Sequence, residues 1–474
     1  MSNTSQASAR IHSLLDENSF VEIGAKVSAR ATDFNLNPKE AVSDGVVTGY
    51  GQIDGKLVYV YSQDPSVLGG SVGEMHAKKI VGLYKLAMKM GAPVIGLIDS
   101  SGLRLQEATD ALNAFGQIYR AQALASGVIP QISAIFGSCG GGLALFPTLT
   151  DFTFMEKKAK LFVNSPNALD GNYEAKKNTA SAEFQSKEAG VVDVVADEAE
   201  IYEKIRALIT LLPSNNSDFG CDESTDDANR LVEDIAGCSE DPAALLSRLS
   251  DGYDFYELKA DTAKEMVIGF LKLDGLTVGA IANRTALFDE NGKAAEKFEP
   301  VLTANGCYKA ADFVNFCNAF DIPVLTVTNV KGYEATVASE RKIAIAVAKL
   351  TYALANADVP KINLITKEAY GSAYVAMNSK ALGADLTFAW EGSSVGMMDA
   401  ALAAKIMYAE EKPEVQKEKA DAYQKLQVSI DSAAARGYVD TVIDPVQTRK
   451  YLIGATDMLY TKREARPEKK HGTV

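Results

Sequence analysis

The segment APVIGLIDSSG (residues 92–102) decides the fold, because a second version of it, IPVLTVTNVKG, stands 230 positions further on at residues 322–332. Both versions are short, apolar and rich in β-branched residues, which is typical of parallel strands buried on both faces. The same offset aligns IPQISAIFGSCGGG (129–142) with VPKINLITKEAYGS (359–372) and matches Pro130 to Pro360. Two segments in one register indicate that the chain contains an internal duplication.

Three more pairs of segments extend the duplication in the same order. They are IDGKLVYVYSQD with LDGLTVGAIANR (53–64 and 273–284), TDFTFM with ADLTFA (150–155 and 384–389), and AGVVDVVAD with RGYVDTVID (189–197 and 436–444). Each copy predicts a strand pair, helix, strand, helix, strand, glycine-bearing loop and helix, which is an α/β layout. The polar residues 214–230 are typical of a linker, so we place the two domains at 1–240 and 241–474.

Composition and charge exclude several classes of protein. The net charge of -14 disfavours a nucleic-acid-binding surface, which needs clustered basic residues. The uncharged residues 121–150 contain Pro130, a glycine cluster and Pro147, so we expect buried helix, strand and loop in place of a membrane span. The N-terminus lacks an apolar signal core, and the five cysteines lack CxxC spacing. We therefore expect a cytoplasmic protein with neither a zinc site nor a disulfide frame.

Histidine is scarce, since only His12, His76 and His471 occur. A catalytic triad or a multi-histidine metal site would depend almost entirely on His76, which lies on a predicted helix and which we interpret as structural. Cys139 is interpreted as a small buried residue, because no histidine base is visible near it. The expected chemistry therefore uses backbone groups and the substrates themselves, and no metal.

Two glycine-bearing loops occupy matching places in the two copies: GSCGGG (137–142) and AYGSAY (369–374). Neither loop has the spacing of a Walker A or dinucleotide motif. Each can offer backbone N–H groups at the start of a helix, and glycine lets a planar carbonyl approach closely. This is an oxyanion-hole arrangement, in which one donor contributes about 3 kcal/mol to transition-state stabilisation.

Five motifs, met in order along the chain, resemble those of the carboxyltransferase family of biotin-dependent acyl-CoA carboxylases and decarboxylases. They are RIHSLLDENSF (10–20), GGSVGEMHAKKI (69–80), DSSGLRLQE (99–107), GSCGGG (137–142) and KEAYGSAYVAMNSKALGADLTFAW (367–390). The matches span residues 10 to about 445. The resemblance implies two tandem crotonase-like (ClpP/crotonase) domains, the first facing the acyl-CoA and the second facing biotin.

The resemblance also implies two oxyanion holes. The first would hold the thioester oxygen of an acyl-CoA as it becomes an enolate, and would consist of Leu103, Gly141 and Gly142. The second would stabilise the ureido oxygen of biotin as carboxybiotin releases its carboxyl group, and would consist of Tyr333, Ser372 and Ala373. Other residues are expected to contact biotin or the CoA phosphates: Gly371, Tyr374, Val375, Arg104 and Lys78. Biotin itself would take the α-proton of the substrate, so no protein base is required.

The chain departs from the family pattern around the second hole. Ser372 replaces the second glycine of K-A-Y-G-G-A-Y, and NVKGYEATVASE (329–340) stands where the family has D-V-P-G-F-x-x-G-x-x-x-E. Val375 stands where propionyl-type enzymes commonly have Asp. The resemblance therefore does not specify the acyl group.

Several functions and partners stay open. The same transfer could run forward in an acyl-CoA carboxylase or backward in the alpha subunit of a sodium-pumping decarboxylase. A biotin-independent crotonase-type hydratase or isomerase, and a noncatalytic scaffold, are the more distant alternatives.

The AMKM sequence at residues 87–90 resembles a biotinylation motif but lies on a predicted helix, so a separate biotin carrier protein is implied. The implied partners are a biotin carboxylase or membrane decarboxylase subunits, and the implied assembly is a homodimer or a trimer of dimers.

Overall fold

The computed structural model describes residues 5–30, 43–172, 176–218, 220–289 and 291–465. The chain divides into two compact units, residues 1–220 and 221–474. No helix in the described part of the chain combines the length and the apolar character that crossing a bilayer requires.

The first unit contains one eight-stranded sheet. Its strands are β1 (Val21–Glu22), β2 (Val46–Ile53), β3 (Lys56–Gln63), β4 (Val94–Ser100), β5 (Gln131–Gly140), β6 (Phe152–Glu156), β7 (Lys160–Phe162) and β8 (Val194–Ala196). Their order is β1-β2-β3-β4-β5-β6-β8, and β7 pairs with the end of β5. The first three strands are antiparallel, whereas β3 to β8 are parallel.

The helices of the first unit pack on this sheet. They are α1 (Gln6–Leu14), α2 (Glu74–Met90), α3 (Ala108–Ala125), α4 (Leu145–Thr148), α5 (Ala182–Lys187) and α6 (Glu198–Leu211). Helix α2 is followed by a cap at Gly91, whose φ of 62° is the left-handed conformation that glycine adopts without strain. The buried face of α2 has the three-and-four spacing of an amphipathic helix: His76, Ala77, Ile80, Leu83, Tyr84 and Ala87. The AMKM sequence is therefore helical, as predicted.

The second unit repeats the eight-stranded sheet and adds two small sheets. Its strands are β9 (Phe255–Leu258), β10 (Met266–Leu273), β11 (Leu276–Asn283), β12 (Ala286–Phe288), β13 (Ala294–Lys297), β14 (Val301–Leu302), β15 (Val324–Val330), β16 (Gly332–Tyr333), β17 (Lys361–Tyr370), β18 (Leu386–Trp390), β19 (Ser394–Gly396) and β20 (Thr441–Ile443). The main order is β9-β10-β11-β15-β17-β18-β20, and β19 pairs with β17. The β12–β13 hairpin lies where the second copy has its extra residues.

The helices of the second unit follow the same plan. They are α7 (Pro242–Leu249), α8 (Ala304–Ala319), α9 (Val337–Glu340), α10 (Ile343–Asn356), α11 (Gly371–Ala376), α12 (Ala400–Met407), α13 (Pro413–Tyr423), α14 (Ile430–Ala435) and α15 (Thr448–Leu459). Helices α7 and α15 share a hydrophobic core with β10, β11, β15, β17 and β18. Strand order and helix placement therefore confirm an α/β protein built from a duplicated unit.

Repeated side-chain contacts confirm the duplication at the level of single bonds. Asp151 accepts a hydrogen bond from the Gln131 amide at 2.7 Å, and Asp385 accepts one from the Lys361 amide at 2.8 Å. In each unit this bond joins the start of the central strand to the start of the next strand. One ancestral arrangement therefore survives in both copies.

The division between the units falls at residues 220 and 221, twenty positions before the boundary expected at 240. Val232 and Ile235 are buried in the core of the second unit. Arg230 binds Asp226 and donates to the Ser250 carbonyl oxygen. The polar residues that suggested a linker therefore include the first packed segment of the second unit.

Candidate active site

The first glycine turn starts at the last two glycines of GSCGGG and runs from Gly141 to Ala144. Strand β5 continues through Gly140, because residues 138–140 pair with β7, and a 3-10 turn starts at Gly141 with a φ of 64°. The first four residues of GSCGGG are therefore strand, in contrast to the predicted loop. The turn places the amides of Gly141 and Gly142 at its open end, where helical N–H groups have no partner within the turn.

The chain at Leu103 lies beside this turn. A Cβ added to Gly102 would lie 3.6 Å from the Gly140 carbonyl oxygen. The Val72 amide donates to the Gly102 carbonyl at 2.8 Å, and the Arg104 amide donates to the Val72 carbonyl at 3.0 Å. Because successive amides of an extended chain point to opposite sides, the Leu103 N–H points away from Val72. The structure thus brings Leu103 to the same strand end as Gly141.

The second glycine turn has the same construction. Strand β17 ends at Tyr370, and α11 begins at Gly371 with a φ of 61°. Tyr333 pairs with Leu302, and the Glu334 amide donates to the Leu302 carbonyl at 2.9 Å. Helix α11 packs directly against β16, so Tyr333 lies beside the turn.

The two turns correspond residue by residue. Gly141 and Gly371 are 230 positions apart and have nearly the same positive φ, which glycine adopts most readily. The pairing of Leu103 with Val72 is repeated, at the same offset, by the pairing of Tyr333 with Leu302. Each unit therefore presents one set of backbone donors at the carboxyl end of its central strands. Such a set can bind an oxygen that carries developing negative charge.

Gly142 is held by aromatic residues of α3. The Tyr119 hydroxyl donates to the Gly142 carbonyl at 2.6 Å. A Cβ at Gly142 would lie 3.0 Å from that hydroxyl oxygen and 3.2 Å from the Phe115 ring. Cys139 is fully buried behind the turn, and burial raises the pKa of its thiol. Cys139 is therefore a packing residue, as expected, since nucleophilic cysteines need a lowered pKa.

Arg104 is buried, in contrast to its expected contact with CoA phosphates. Its guanidinium donates to the Ser71 carbonyl at 2.6 Å, to the Asp44 carbonyl at 2.8 Å and to the Glu107 carboxylate at 3.0 Å. Glu107 in turn accepts the Glu74 amide at the start of α2 at 2.6 Å. With no exposed surface, Arg104 has no group to offer a phosphate, and we assign it a structural role.

The other expected contact residues are distributed differently. Lys78 is half exposed and forms an ion pair with Glu74 at 2.7 Å. Tyr374 is buried beneath the second turn, while the Val375 side chain is 41% exposed. A phosphate contact for Lys78 and ligand contacts for Tyr374 and Val375 remain predictions.

His76 has the structural role that the sequence indicated. It is fully buried on α2, where one ring nitrogen lies 3.1 Å from the Asp44 carbonyl oxygen and the other 3.3 Å from the Gln63 side-chain nitrogen. Burial lowers the pKa of His76 to about 3. A neutral buried ring with both nitrogens in contact with protein groups is unsuited to proton transfer with a substrate.

Sequence reasoning missed a cavity in the second unit. Its volume is about 830 Å³, and the residues around it include Tyr333, Thr336, Thr303, Glu265 and Lys342. One wall of the cavity is formed by residues of the segment 329–340. The departure of this segment from the family pattern was therefore the sequence feature that could have indicated the cavity.

Comparison with known proteins gives a consistent result. The family model of the carboxyl transferase domain matches residues 3–474. The methylmalonyl-CoA decarboxylase subunit alpha of Veillonella parvula is 40% identical and aligns over 99% of this chain and 92% of its own length. The propionyl-CoA carboxylase beta chain of Roseobacter denitrificans is 38% identical over 99% of this chain and 93% of its own length.

A solved structure of a related protein has the same fold as this chain. The structure of transcarboxylase 12S with methylmalonyl-coenzyme A and methylmalonic acid bound superposes with a TM-score of 0.90 at 35% identity, over 98% of this chain and 92% of that one. The shared fold, the two matching glycine turns and the match along almost the entire length lead to one conclusion. The chain belongs to the carboxyl transferase domain family and is a carboxyltransferase of the biotin-dependent acyl-CoA carboxylases and decarboxylases.

Proposed function

We propose that this chain moves a carboxyl group between carboxybiotin and the α-carbon of a short acyl-CoA, with the acyl-CoA on the first unit and biotin on the second. In this proposal each unit is a crotonase-like domain. The observation that carries the proposal is the repetition of one backbone turn, at Gly141 and at Gly371, because a transfer between two carbonyl compounds needs two such sites.

The first turn stabilises the acyl-CoA. The amides of Leu103, Gly141 and Gly142 hold the thioester oxygen, and their contribution grows as that oxygen gains the charge of an enolate. Tyr119 keeps the turn in place through its bond to the Gly142 carbonyl. Water is excluded on the buried side by Phe115 and Cys139.

The second turn stabilises the urea group of biotin through the amides of Tyr333, Ser372 and Ala373. The residues present fit such a ligand, since the turn offers donors and the neighbouring cavity of about 830 Å³ has room for a bicyclic ring and its chain. When bound, carboxybiotin supplies the carboxyl group as nascent carbon dioxide and a ureido nitrogen basic enough to accept a proton. The chain's own role is to bind and orient, which agrees with the neutral, buried His76.

Partners follow from the same proposal. The AMKM sequence lies inside α2, so biotin is brought by a separate carrier protein, with a biotin carboxylase or membrane decarboxylase subunits completing the system. Transcarboxylase 12S is described as a hexamer, which supports a homodimer or trimer of dimers for this chain. We place the protein in the cytoplasm, where its five free cysteines would stay reduced.

The direction of transfer has two candidates. Relatives named as decarboxylase subunits are 40% and 37% identical, and a carboxylase beta chain is 38% identical, so identity supports both directions equally. Carboxylation is our first candidate, and decarboxylation in a sodium-pumping complex is the second. A biotin-independent hydratase or isomerase would leave the second turn without a role.

The test incubates the purified protein with free biotin and either malonyl-CoA or methylmalonyl-CoA, and follows loss of the substrate carboxyl group. Loss that depends on biotin is the expected result, and the relative rates rank the two substrates. Hydration or isomerisation of an acyl-CoA with no effect of biotin would contradict the proposal. Inactivity with free biotin is followed by the same assay with a biotinylated carrier protein, and inactivity there would also contradict it.

A further inference from the structure

Two side-chain hydroxyls meet at the second turn. The Tyr333 hydroxyl donates to the Ser372 Oγ at 2.9 Å. Tyr333 lies on β16, and Ser372 is the second residue of α11, so the bond joins the two elements that supply the backbone donors of this turn. The function proposed above uses only the amides of these residues and leaves the hydroxyl pair unexplained.

Both hydroxyls are absent from the family pattern, which has phenylalanine and glycine at these positions. The two departures contact each other, so they form one feature of this chain. Serine is compatible with the backbone here, because the positive φ of the turn belongs to Gly371 and Ser372 keeps an ordinary negative one. The pair therefore leaves the backbone geometry of the turn intact.

The direction of the bond determines what Ser372 can do. A serine hydroxyl has one proton to donate and can accept from other groups at the same time. A tyrosine hydroxyl is more acidic than a serine hydroxyl and is therefore the better donor of the two. With Tyr333 as the donor, the proton of Ser372 points elsewhere, and the incoming bond polarises it. Ser372 is exposed, which leaves its hydroxyl accessible to a ligand at the turn.

At the first turn, the positions that match Tyr333 and Ser372 are Leu103 and Gly142, neither of which carries a hydroxyl. The tyrosine beside this turn, Tyr119, donates to a backbone carbonyl. The hydroxyl pair is therefore not repeated at the matching positions of the first unit.

We propose that the Ser372 hydroxyl is an additional hydrogen-bond donor to the carbonyl oxygen of the ligand held at the second turn, and that Tyr333 is a positioning residue that orients it. The ligand class is a cyclic urea, free or N-carboxylated. This inference rests on the proposed function, since it assigns a side chain to the biotin side of the same site.

The experiment measures KM for free biotin and for the acyl-CoA in the biotin-dependent loss of the substrate carboxyl group. Ser372→Ala and Ser372→Gly are expected to raise KM for biotin about 3- to 10-fold, the effect of one neutral hydrogen bond. KM for the acyl-CoA is expected to stay within about 2-fold, because its donors lie in the other unit. Tyr333→Phe is expected to give a smaller rise of the same kind.

A double-mutant cycle tests the coupling of the pair. In the variant carrying both Tyr333→Phe and Ser372→Ala, KM for biotin is expected to equal that of Ser372→Ala alone, because Tyr333 acts through Ser372. Tyr119→Phe is the matched control, and it is expected to raise KM for the acyl-CoA and leave KM for biotin unchanged.

The outcomes distinguish failure of the proposed function from failure of the role assigned to the Ser372 hydroxyl. Absence of any biotin dependence in the wild-type protein would overturn both the proposed function and the role of Ser372. Biotin-dependent activity with an unchanged KM for biotin in Ser372→Ala and Ser372→Gly would overturn only the hydroxyl's role. An equal rise in both KM values, or purely additive effects of the two substitutions, would likewise show that the pair is structural.

Discussion

At the scale of single residues, Gly142 is where a methyl group should have the largest effect. A Cβ there meets the Tyr119 hydroxyl at 3.0 Å and the Phe115 ring at 3.2 Å, so these side chains and the turn that Tyr119 holds have to move apart by a few tenths of an ångström. We expect Gly142→Ala to lower kcat about 100-fold, the cost of misplacing an oxyanion donor. Gly116→Ala on α3, where an added Cβ meets nothing within 4 Å, should keep wild-type kcat in the same assay. Equal kcat values for the two variants would contradict the role of Gly142.

Asp151 makes the stability of the first unit depend on pH. Burial raises the pKa of Asp151 from 3.8 to about 7. The folded state therefore binds this proton more tightly than the unfolded state does, so the contribution of Asp151 to stability is fully present below about pH 4 and is lost as pH rises through 7. Asp151→Asn keeps an oxygen that can accept the Gln131 amide, and we expect it to raise the free energy of unfolding at pH 8 by about 2 kcal/mol.

The matching acid of the second unit is the control for this prediction. Asp385 has the same bond to a strand amide but also an ion pair with Lys462 at 2.8 Å. Asp385→Asn loses that ion pair, so we expect it to lower stability at pH 8, the opposite sign to Asp151→Asn. Urea unfolding curves of both variants at pH 8 measure the two free energies. A loss of stability in Asp151→Asn would show that its carboxylate is favourably charged in the fold.

At the scale of elements, Arg104 connects three segments of the first unit. It binds the carbonyls of Ser71 and Asp44, and it neutralises Glu107, which accepts the first amide of α2. We expect Arg104→Met to lower the free energy of unfolding by about 3 to 5 kcal/mol, because it leaves a buried carboxylate unpaired.

Lys78→Met is the control for Arg104→Met. Lys78 is a half-exposed cation on α2, whereas Arg104 is a buried cation that contacts the start of α2 through Glu107. The loss of the surface ion pair of Lys78 should cost about 0 to 1 kcal/mol. Thermal or urea unfolding compares the variants. If Arg104→Met were as stable as wild type and only weakened acyl-CoA binding, the phosphate role would replace the structural one.

The positions of helices and strands are the part of the structure that the sequence predicted best. The buried strands β4 and β15 and the amphipathic helix α2 appear where periodicity and β-branched residues indicated. The glycine turn at 137–142 was predicted to start four residues too early, because β5 pairs with a second strand, β7, which the sequence of β5 does not indicate. Pairing with a strand twenty residues away extends β5 through residues that alone would form a loop.

At the scale of the whole molecule, the duplication predicts that damage to the two turns affects different substrates. Gly142→Ala should raise KM for the acyl-CoA, and Gly371→Ala should raise KM for biotin, because alanine at a φ of 61° is strained. We expect at least about a 10-fold change in each affected KM. Gly82→Ala on α2, where an added Cβ meets nothing within 4 Å, is the control. Steady-state kinetics with each substrate varied in turn measure the effects, and a shared effect on both KM values would contradict the assignment of one substrate to each unit.

The sequence by itself determined the duplicated α/β plan, the order of the main elements, the presence of a glycine turn at the end of each central strand and the structural nature of His76. These features depend on local sequence patterns, and most of the patterns occur in both copies. Glycine adopts a positive φ most readily, so a glycine after a strand is enough to predict a turn. Only the tertiary structure decided that Arg104 is buried, that the second unit begins at residue 221, and that Tyr333 reaches Ser372. Each of these depends on contacts between segments distant in the chain, such as the 39 positions between Tyr333 and Ser372, and folding alone brings such groups together.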